Sequence, residues 1–349
     1  MKHTTAFLAI WLALAATHNL ASATQISRTF VSPTGNDASD CSLGAPCRHL
    51  QAALAQTLPG GEIAILGTAG YNGGTTITIT QAVSIVNPGA FEAGIYAPVS
   101  GNGIVINAGP NDAVSLRGLS IQGGGTGTNG IVFNSGGSLT IDNCFAQNLT
   151  DSGIRIQTSG TMTFSITKVT VSNNGLAGIY LWAPPSSTPN INGIIDRVTA
   201  NGNYDGIRFE TSNTSAGGTL NVSVSNSIAS NNGNDGILFW AYGGSATVSA
   251  SIDDTSASNN TNDGIELNNY IETLRVSIDG VHASGNQKYG VEAYSSASVL
   301  LGRSTLVNNA QYGVRNGTSP NTFYTYSDNH LDLNGVNDIS GTLVSLAAH

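Results

Sequence analysis

A glycine followed by isoleucine or valine recurs along most of this 349-residue chain, and consecutive copies stand 23 to 30 residues apart. We call these residues the anchor glycines: Gly103, Gly130, Gly153, Gly178, Gly206, Gly236, Gly264, Gly290 and Gly313. A repeat of this length is typical of a solenoid, in which each copy forms one turn and touches mainly its neighbours. The repeat therefore favours one elongated domain built by stacking turns.

The segments that follow the anchor glycines alternate between apolar and polar residues, as in Ile207-Arg208-Phe209-Glu210. A period of two indicates β-strands rather than helices. Polar turns rich in Asn, Asp and Gly precede the glycines, and many carry an asparagine five residues before the glycine. We expect the amides of these asparagines to bond to one another across turns about 4.8 Å apart. They are Asn148, Asn173, Asn201, Asn231, Asn259 and Asn308.

The repeated pattern Asn-Asn-x-x-Asp-Gly-Ile resembles the pectin lyase-like superfamily of right-handed parallel β-helices, in its bacterial repeat form. The resemblance runs from about Phe30 to Leu346 and implies an all-β, right-handed parallel β-helix solenoid with an N-terminal amphipathic helical cap. Arg48 to Leu58 suits the cap, since its leucines recur every four residues, and Pro59-Gly60-Gly61 is expected to end it. The expected domains are residues 24–61, with the cap helix, and 62–346, the β-helix.

Residues 1–23 have the features of a secretory signal peptide: Lys2, an apolar run from Ala6 to Ala16, and the small-residue exit Ala21-Ser22-Ala23. The alternative is an uncleaved membrane anchor. A membrane-spanning helix needs an apolar run of about 20 residues, and the run from Ala6 to Ala16 is about half that length. The sequence therefore predicts a secreted protein, periplasmic or extracellular, with no integral membrane segment after cleavage.

Composition limits the classes of partner that the protein can bind, and cysteine spacing indicates the compartment in which it folds. The chain has 12 Lys and Arg against 21 Asp and Glu, so it lacks the basic clusters that nucleic acid binding needs. Cys41 and Cys47 flank a five-residue loop and are predicted to form a disulfide in an oxidising compartment. Cys144 stands in a strand-like segment and is predicted to be a buried small hydrophobe.

The second and fourth residues after each anchor glycine should point outward, because side chains alternate along a strand. In six turns these positions combine aromatic rings with charges, which suits the apolar faces and hydroxyl groups of sugars. The residues predicted to bind substrate are Arg155, Tyr180, Trp182, Trp240, Glu266, Asn268, Glu292 and Tyr294. Two alternatives stay open: ordinary surface aromatics under a covering loop, and a surface that buries against another copy of the chain.

An aspartate directly precedes the anchor glycine in three successive turns, at Asp205, Asp235 and Asp263. Stacked carboxylates repel one another, so we expect a raised pKa or a bound cation such as Ca²⁺. The alternative is that Asp before Gly is favoured simply as turn chemistry. If acid–base chemistry occurs, the candidates are Asp235 and Asp263 with Glu210 or Glu266, and Arg208 would stabilise negative charge.

The sequence thus favours a secreted β-helix that binds, and as an enzyme cleaves or modifies, an extracellular or envelope polysaccharide. The resemblance implies a lyase, an epimerase or a glycoside hydrolase as the enzyme classes. The chain lacks the Gly-His-Gly and Arg-Ile-Lys segments of polygalacturonases and the Asp-Pro-His-Asp of alginate epimerases, so no single activity carries over. The alternative function is a non-catalytic structural or adhesin-like solenoid that contacts other proteins.

Overall fold

The structure is a computed structural model and describes residues 25–89, 91–270, 273–294, 296–317 and 322–347. The predicted signal peptide, residues 1–23, lies outside the described residues. Within them the elements are, in chain order, β1 (Ile26–Val31), α1 (Leu50–Gln56), β2 (Thr57–Ile65), β3 (Ala69–Gly70), β4 (Ile77–Ile79), β5 (Val83–Val86), β6 (Ala93–Tyr96), β7 (Asn102–Asn107), β8 (Ala113–Arg117), β9 (Leu119–Gln122), β10 (Asn129–Ser135), β11 (Ser138–Asp142), β12 (Phe145–Gln147), β13 (Ile154–Gln157), β14 (Thr161–Thr167), β15 (Thr170–Ser172), β16 (Ala177–Trp182), β17 (Asn190–Asp196), β18 (Thr199–Asn201), β19 (Asp205–Glu210), β20 (Thr219–Ser225), β21 (Ile237–Ala241), β22 (Thr247–Asp253), β23 (Ile265–Asn269), β24 (Thr273–Asp279), β25 (Tyr289–Tyr294), β26 (Ala297–Gly302), β27 (Thr305–Val307), β28 (Tyr312–Asn316), β29 (Thr322–Thr325), β30 (His330–Asp332), β31 (Asn337–Ser340) and β32 (Val344–Ser345).

The described strands form three long sheets and one two-stranded pair. Sheet 1 has the order β1-β2-β5-β8-β11-β14-β17-β20-β22-β24-β26-β29-β32, sheet 2 the order β31-β28-β25-β23-β21-β19-β16-β13-β10-β7-β4, and sheet 3 the order β18-β15-β12-β9-β6-β3, while β27 pairs with β30. Neighbouring strands are parallel and come from successive turns, as for β16 and β19. The chain therefore winds as an all-β parallel solenoid of about ten turns, which confirms the predicted fold class at this level.

Side-chain alternation places the core inside the coil. In β19, Ile207 and Phe209 are buried, whereas Arg208 and Glu210, which alternate with them, are partly exposed. The Phe209 ring stacks on the Phe239 ring of the next turn, with centroids 4.6 Å apart. Such stacks of like residues bury apolar surface continuously along the axis, so that one elongated core runs through the coil from Val31 to Phe323.

The anchor glycines stack in a column because no side chain fits between successive turns at that point. A Cβ atom added to Gly206 would lie 2.5 Å from the carbonyl oxygen of Gly236, and one added to Gly236 would lie 2.6 Å from that of Gly264. The same close approach to the next anchor glycine recurs from Gly103 to Gly290. The neighbouring atom is backbone, so rotating a side chain cannot relieve the clash.

The asparagine ladder exists, but the prediction of its members was wrong. In the structure Asn203 Nδ2 donates to Asn232 Oδ1 at 3.3 Å, and Asn232 Nδ2 donates to Asn260 Oδ1 at 3.1 Å. The full ladder is Asn174, Asn203, Asn232, Asn260, Asn286, Asn309 and Asn334. Five of the six predicted residues instead adopt φ values of 55° to 59°. They are Asn148, Asn173, Asn231, Asn259 and Asn308. Asparagine tolerates this left-handed conformation, and the turn it makes directs the next side chain into the coil.

The N-terminal helix is shorter than predicted. Helix α1 ends at Gln56, and Pro59, Gly60 and Gly61 lie inside β2 rather than ending the helix. The chain becomes extended at Thr57, whose hydroxyl donates to Ala53 O at 2.6 Å. The sequence misled here because leucines spaced by four continue past the point where pairing with β1 begins.

The three cysteines are all buried. Cys41 and Cys47 are joined by a disulfide with their Cα atoms 4.7 Å apart. Cys144 is a free thiol, and burial raises its pKa to about 12, so it stays protonated and unreactive at neutral pH. Within the described ranges, no helix combines the length and apolar character needed to cross a bilayer.

Candidate functional site

The outer face of sheet 2 carries two parallel rows of side chains, one residue from each turn. Pairing register aligns the first row as Arg155, Tyr180, Arg208, Leu238, Glu266, Glu292 and Arg315, and the second as Gln157, Trp182, Glu210, Trp240, Asn268 and Tyr294. All eight residues predicted to bind substrate lie in these rows, but Tyr180 and Glu292 are buried, so the other six are the ones that a ligand could reach. Successive members are about 4.8 Å apart, so a bound polymer could follow the axis from turn to turn.

Arginines stack on the aromatic rings of this face. The Arg155 guanidinium lies 4.9 Å from the Tyr180 ring centroid and 5.4 Å from that of Trp182. Arg208 lies 5.3 Å from the Tyr180 ring and 6.0 Å from the Trp240 ring. Tyr180 is therefore buried between two guanidinium groups, whereas Trp182 and Trp240 remain partly exposed. These contacts hold the rings in place without covering the tryptophans.

Arg208 is held by carboxylates on both sides. Its Nη1 donates to Asp205 Oδ2 at 3.1 Å and its Nη2 donates to Glu210 Oε2 at 2.9 Å. Burial opposes its charge, but Asp205 and Glu210 outweigh burial and raise the pKa of Arg208. Tyr180 Oη also donates to Glu210 Oε2, at 2.8 Å, and burial together with this bond raises the pKa of Tyr180. The group is a closed ion network in which every charge has a partner.

Three carboxyl groups meet at the centre of the face. One oxygen each of Asp235, Asp263 and Glu266 lies within 4.8 Å of the other two, and we call these residues the acidic triad. Asp235 and Asp263 are fully buried, whereas Glu266 is partly exposed. Asp205 belongs to the same column of aspartates but pairs with Arg208, so Glu266 takes its place in the group that could hold a cation. The calcium assignment to Asp205, Asp235 and Asp263 stays a prediction.

Crowding of the triad shifts its protonation. Burial, followed by the charge of Glu266, raises the pKa of Asp235 to about 8. Burial, followed by the charges of Asp235 and Glu292, raises the pKa of Asp263 to about 10. Burial also raises the pKa of Glu266. At neutral pH the buried aspartates therefore hold protons, as expected for like charges in a desolvated site.

The aspartates also bond to the backbone of the neighbouring turn. Asp235 Oδ1 accepts from the Asp263 N–H at 3.0 Å, and Asp263 Oδ1 accepts from the Tyr289 N–H at 3.0 Å. Turn chemistry thus accounts for part of the Asp-Gly pattern. Asp263 Oδ2, however, is buried beside Glu292 and has no hydrogen-bond partner among the described residues. A proton on this oxygen would convert the contact between two acceptors into a hydrogen bond.

Replacing Asp263 with asparagine should stabilise the protein at alkaline pH. The folded pKa lies above the ordinary 3.8, so the stabilisation from the held proton is full below about pH 4 and is lost as the pH rises toward the folded value. Asparagine cannot ionise, and its amide suits the position beside Glu292. We expect a melting temperature about 3 °C or more above wild type near pH 9 and no gain near pH 4. Exposed Glu92→Gln is the control; a gain of equal size at both pH values would contradict the account.

Four residues of the site were missed by the sequence reasoning. The Arg315 guanidinium pairs with Glu292 and lies 5.1 Å from the Tyr289 ring. The centroid of the Tyr270 ring lies 5.3 Å from that of Tyr242 and 5.7 Å from that of Tyr294. Tyr242 and Tyr270 therefore extend the aromatic edge to which Tyr294 belongs. Arg315 stands two residues after the anchor glycine Gly313, at the position that the sequence analysis expected to point outward. Applying that expectation to the turn after Glu292 would have found it.

A large groove lies elsewhere, on sheet 1. This groove of about 740 Å³ is floored mainly by serines and small apolar residues and includes Asn192, Asn221, Arg275 and Tyr324. Its lining contains one guanidinium and no carboxylate. The groove therefore lacks the groups that acid–base chemistry requires, and the outer face of sheet 2 is the better candidate despite its flatter shape.

Comparison with known proteins agrees with this architecture. A parallel coil with a column of stacked glycines defines the class as a β-helix. Residues 90–251 and 158–336 match the family model described as a right-handed β-helix region, and these matches span more than half of the chain. The protein therefore belongs to this family of right-handed β-helices. No curated protein sequence matches it.

Solved structures with the same fold include proteins of bacterial and viral origin. The A-module of a mannuronan C-5 epimerase from Azotobacter vinelandii superposes with a TM-score of 0.53 at 13% identity, covering 83% of this chain and 91% of the module. The ORF18 protein of Geobacillus virus E2 gives a TM-score of 0.60 at 15% identity, covering 85% of this chain and 61% of the viral protein. The Dettilon tailspike protein gives a TM-score of 0.57 at 14% identity, covering 89% of this chain and 68% of the tailspike chain. At these identities the likeness shows a shared fold.

Proposed function

We propose that the protein binds a polysaccharide chain along the outer face of sheet 2. The observation that carries this proposal is the pair Trp182 and Trp240, which stand in one outward row two turns apart with their rings partly exposed. Two turns span about 10 Å, which suits the stacking of alternate sugar rings of an extended chain. Tryptophan supplies the apolar surface for such stacking, and Glu210 and Asn268 in the same row supply partners for hydroxyl groups.

The ordered surroundings of the rings support binding. Trp182 is fixed by Arg155, and Trp240 lies against Arg208, so neither ring loses much conformational freedom when a ligand arrives. The mannuronan epimerase with a similar fold acts on a polysaccharide, which adds support by analogy.

A glycan array on the secreted protein, with and without Ca²⁺, tests the proposal directly. Retention of a polysaccharide is expected, and retention that requires Ca²⁺ would support a cation among the carboxyl groups of Asp235, Asp263 and Glu266. Failure to retain any glycan in either condition would leave the structural or adhesin-like alternative as the function.

The acidic triad favours a second function, acid–base modification of the bound glycan. Glu266 is the triad member whose side chain is partly exposed, and it accepts from Asn268 Nδ2 at 3.0 Å. Asp235 and Asp263 lie behind it, too deeply buried to touch a ligand. We propose that Glu266 exchanges a proton with the glycan while the buried aspartates set its pKa, and that Arg208 and Glu210 position the chain.

Glu266→Gln should separate binding from chemistry. The amide keeps the shape of the side chain and its bond to Asn268 but cannot transfer a proton. We expect product formation to fall about 10²-fold or more, while the dissociation constant for the polysaccharide stays within a few-fold of wild type. Chromatography of the products measures the first quantity and calorimetry the second; unchanged product formation would remove Glu266 from the chemistry.

We also propose that residues 24–61 close the N-terminal end of the solenoid through α1. The helix buries Leu50 and Leu54 and contacts β1, β2 and β4, the first strands of sheets 1 and 2. Truncating Leu54 to alanine should lower the free energy of unfolding by about 2 kcal/mol and promote self-association through the uncovered end. Gln56→Ala on the same helix is the control. Melting curves and light scattering check both effects; no change in either would mean that the helix does not serve as a cap.

Secretion is part of the proposal. The Cys41–Cys47 disulfide suits an oxidising compartment, periplasmic or extracellular. N-terminal sequencing of protein recovered outside the cytoplasm should find Thr24 as its first residue; recovery with residues 1–23 attached would contradict the predicted cleavage.

A further inference from the structure

From the charges of this face we propose that its ligand is an uncharged polysaccharide rather than a polyuronate. This inference rests on the proposed function and concerns the same surface. A carboxylated polymer needs cationic groups that are free to pair with it. The arginines of the face are therefore the groups that decide between the two ligand classes.

Each of the three arginines is already paired within the face. Arg155 lies 3.3 Å from Asp151, Arg208 binds Asp205 and Glu210, and Arg315 binds Glu292. Their side chains are only 18% to 32% exposed, since the guanidinium groups lie on aromatic rings. An incoming carboxylate would have to displace an existing partner and leave that carboxylate buried without its ion pair, which is costly.

The remaining charges do not attract an anion. The two carboxylates that bind Arg208 exceed its charge by one, and Glu266 adds one further carboxylate, whereas the protonated Asp235 and Asp263 add no charge. The ammonium group of exposed Lys288, in the turn before β25, can offset only one of these two negative charges. A polyanion would therefore meet no net attraction along the axis, whereas hydroxyl groups can use the amide of Asn268 and the partly exposed carboxylate of Glu266.

The groups that remain available suit an uncharged chain. Trp182, Trp240 and Tyr270 present apolar ring surface at one edge of the face. Stacking on these rings does not depend on ionic strength, because it buries apolar area rather than pairing charges.

Calorimetric titration of the full secreted protein in EDTA tests the inference. The probes are neutral polymers, a galactomannan, a xyloglucan and a mixed-linkage β-glucan, against polygalacturonate and alginate. We expect at least one neutral polymer to bind with an affinity that changes less than about two-fold between low and high sodium chloride, and the polyuronates to bind at least about ten-fold more weakly. Polyuronate binding that is tighter than that of every neutral polymer and weakens with salt would overturn the inference but leave polysaccharide binding intact.

A gain-of-charge variant sharpens the test. Gln157→Lys adds an ammonium group to the second row, one turn from Trp182 and several turns from the carboxyl groups of the triad. We expect it to strengthen polygalacturonate binding at low salt by about ten-fold or more relative to wild type, with the gain lost at high salt. A circular dichroism spectrum checks that the variant is folded. A folded variant with no gain would argue against charge as the source of selectivity, and a wild-type protein that binds none of the polymers on the glycan array would instead reject the proposed function.

Discussion

Replacing Trp182 and Trp240 together with alanine is expected to lower the affinity for the retained polysaccharide by about 10³-fold. Each ring offers the kind of rigid aromatic contact that costs about 2 kcal/mol or more to truncate at the centre of an interface. The two rings lie on separate turns and contact different arginines, so their losses should be nearly additive. Isothermal titration of wild type and variant with the best ligand from the array measures the difference.

The matched control is Phe145→Ala, which removes an exposed aromatic ring from β12 on sheet 3. Its affinity should equal that of wild type, and both proteins should melt within a few degrees of wild type. If the double variant instead keeps its affinity, the ligand lies elsewhere, and the groove on sheet 1 becomes the first place to search. If the variant changes the oligomer size in sedimentation, the rings serve self-association.

The second large effect is expected for Gly236→Ala, which should lower the free energy of unfolding by about 3 kcal/mol. A Cβ atom at this position would lie 2.6 Å from the carbonyl oxygens of both Ala229 and Gly264. Both neighbours are backbone atoms of packed turns, so the coil has to open for the methyl group to fit. Chemical denaturation followed by circular dichroism measures the loss.

Gly160→Ala is the matched control, because a Cβ atom there meets nothing within 4 Å. Its unfolding midpoint should stay at or slightly above that of wild type, since alanine restricts the unfolded chain more than glycine does. Equal losses in the two variants would mean that the anchor column has no special packing role. A loss confined to Gly236→Ala would establish the close approach of successive turns as the reason for the repeat.

Much of the fold could be predicted because a solenoid repeats one local rule. The alternation after each anchor glycine placed Ile207 and Phe209 inside and Arg208 and Glu210 outside, as observed. The prediction of which asparagines form the ladder failed because adjacent asparagines such as Asn231 and Asn232 are the same residue type. Which of them points inward depends on the sign of φ, and that sign is set by packing against the neighbouring turns.

The composition of the face was predictable, but its pairing was not. Register along the sheet follows from the repeat, so Trp182 and Glu210 could be aligned from sequence alone. Side-chain rotamers decided the rest: Arg208 turned to Asp205, which left Glu266 to complete the triad with Asp235 and Asp263. Such choices depend on the charges of three turns at once, and spacing along one chain does not contain them.

Tryptophan fluorescence tests the central claim most directly. The chain has three tryptophans; Trp11 is removed with the predicted signal peptide, and the two that remain in the secreted protein, Trp182 and Trp240, both lie on the outer face of sheet 2. Titration with the polysaccharide retained on the array should shift the emission to shorter wavelength and saturate at the calorimetric dissociation constant, because a bound sugar removes water from the rings. Saturable binding by calorimetry with no change in emission would place the ligand elsewhere and contradict the account.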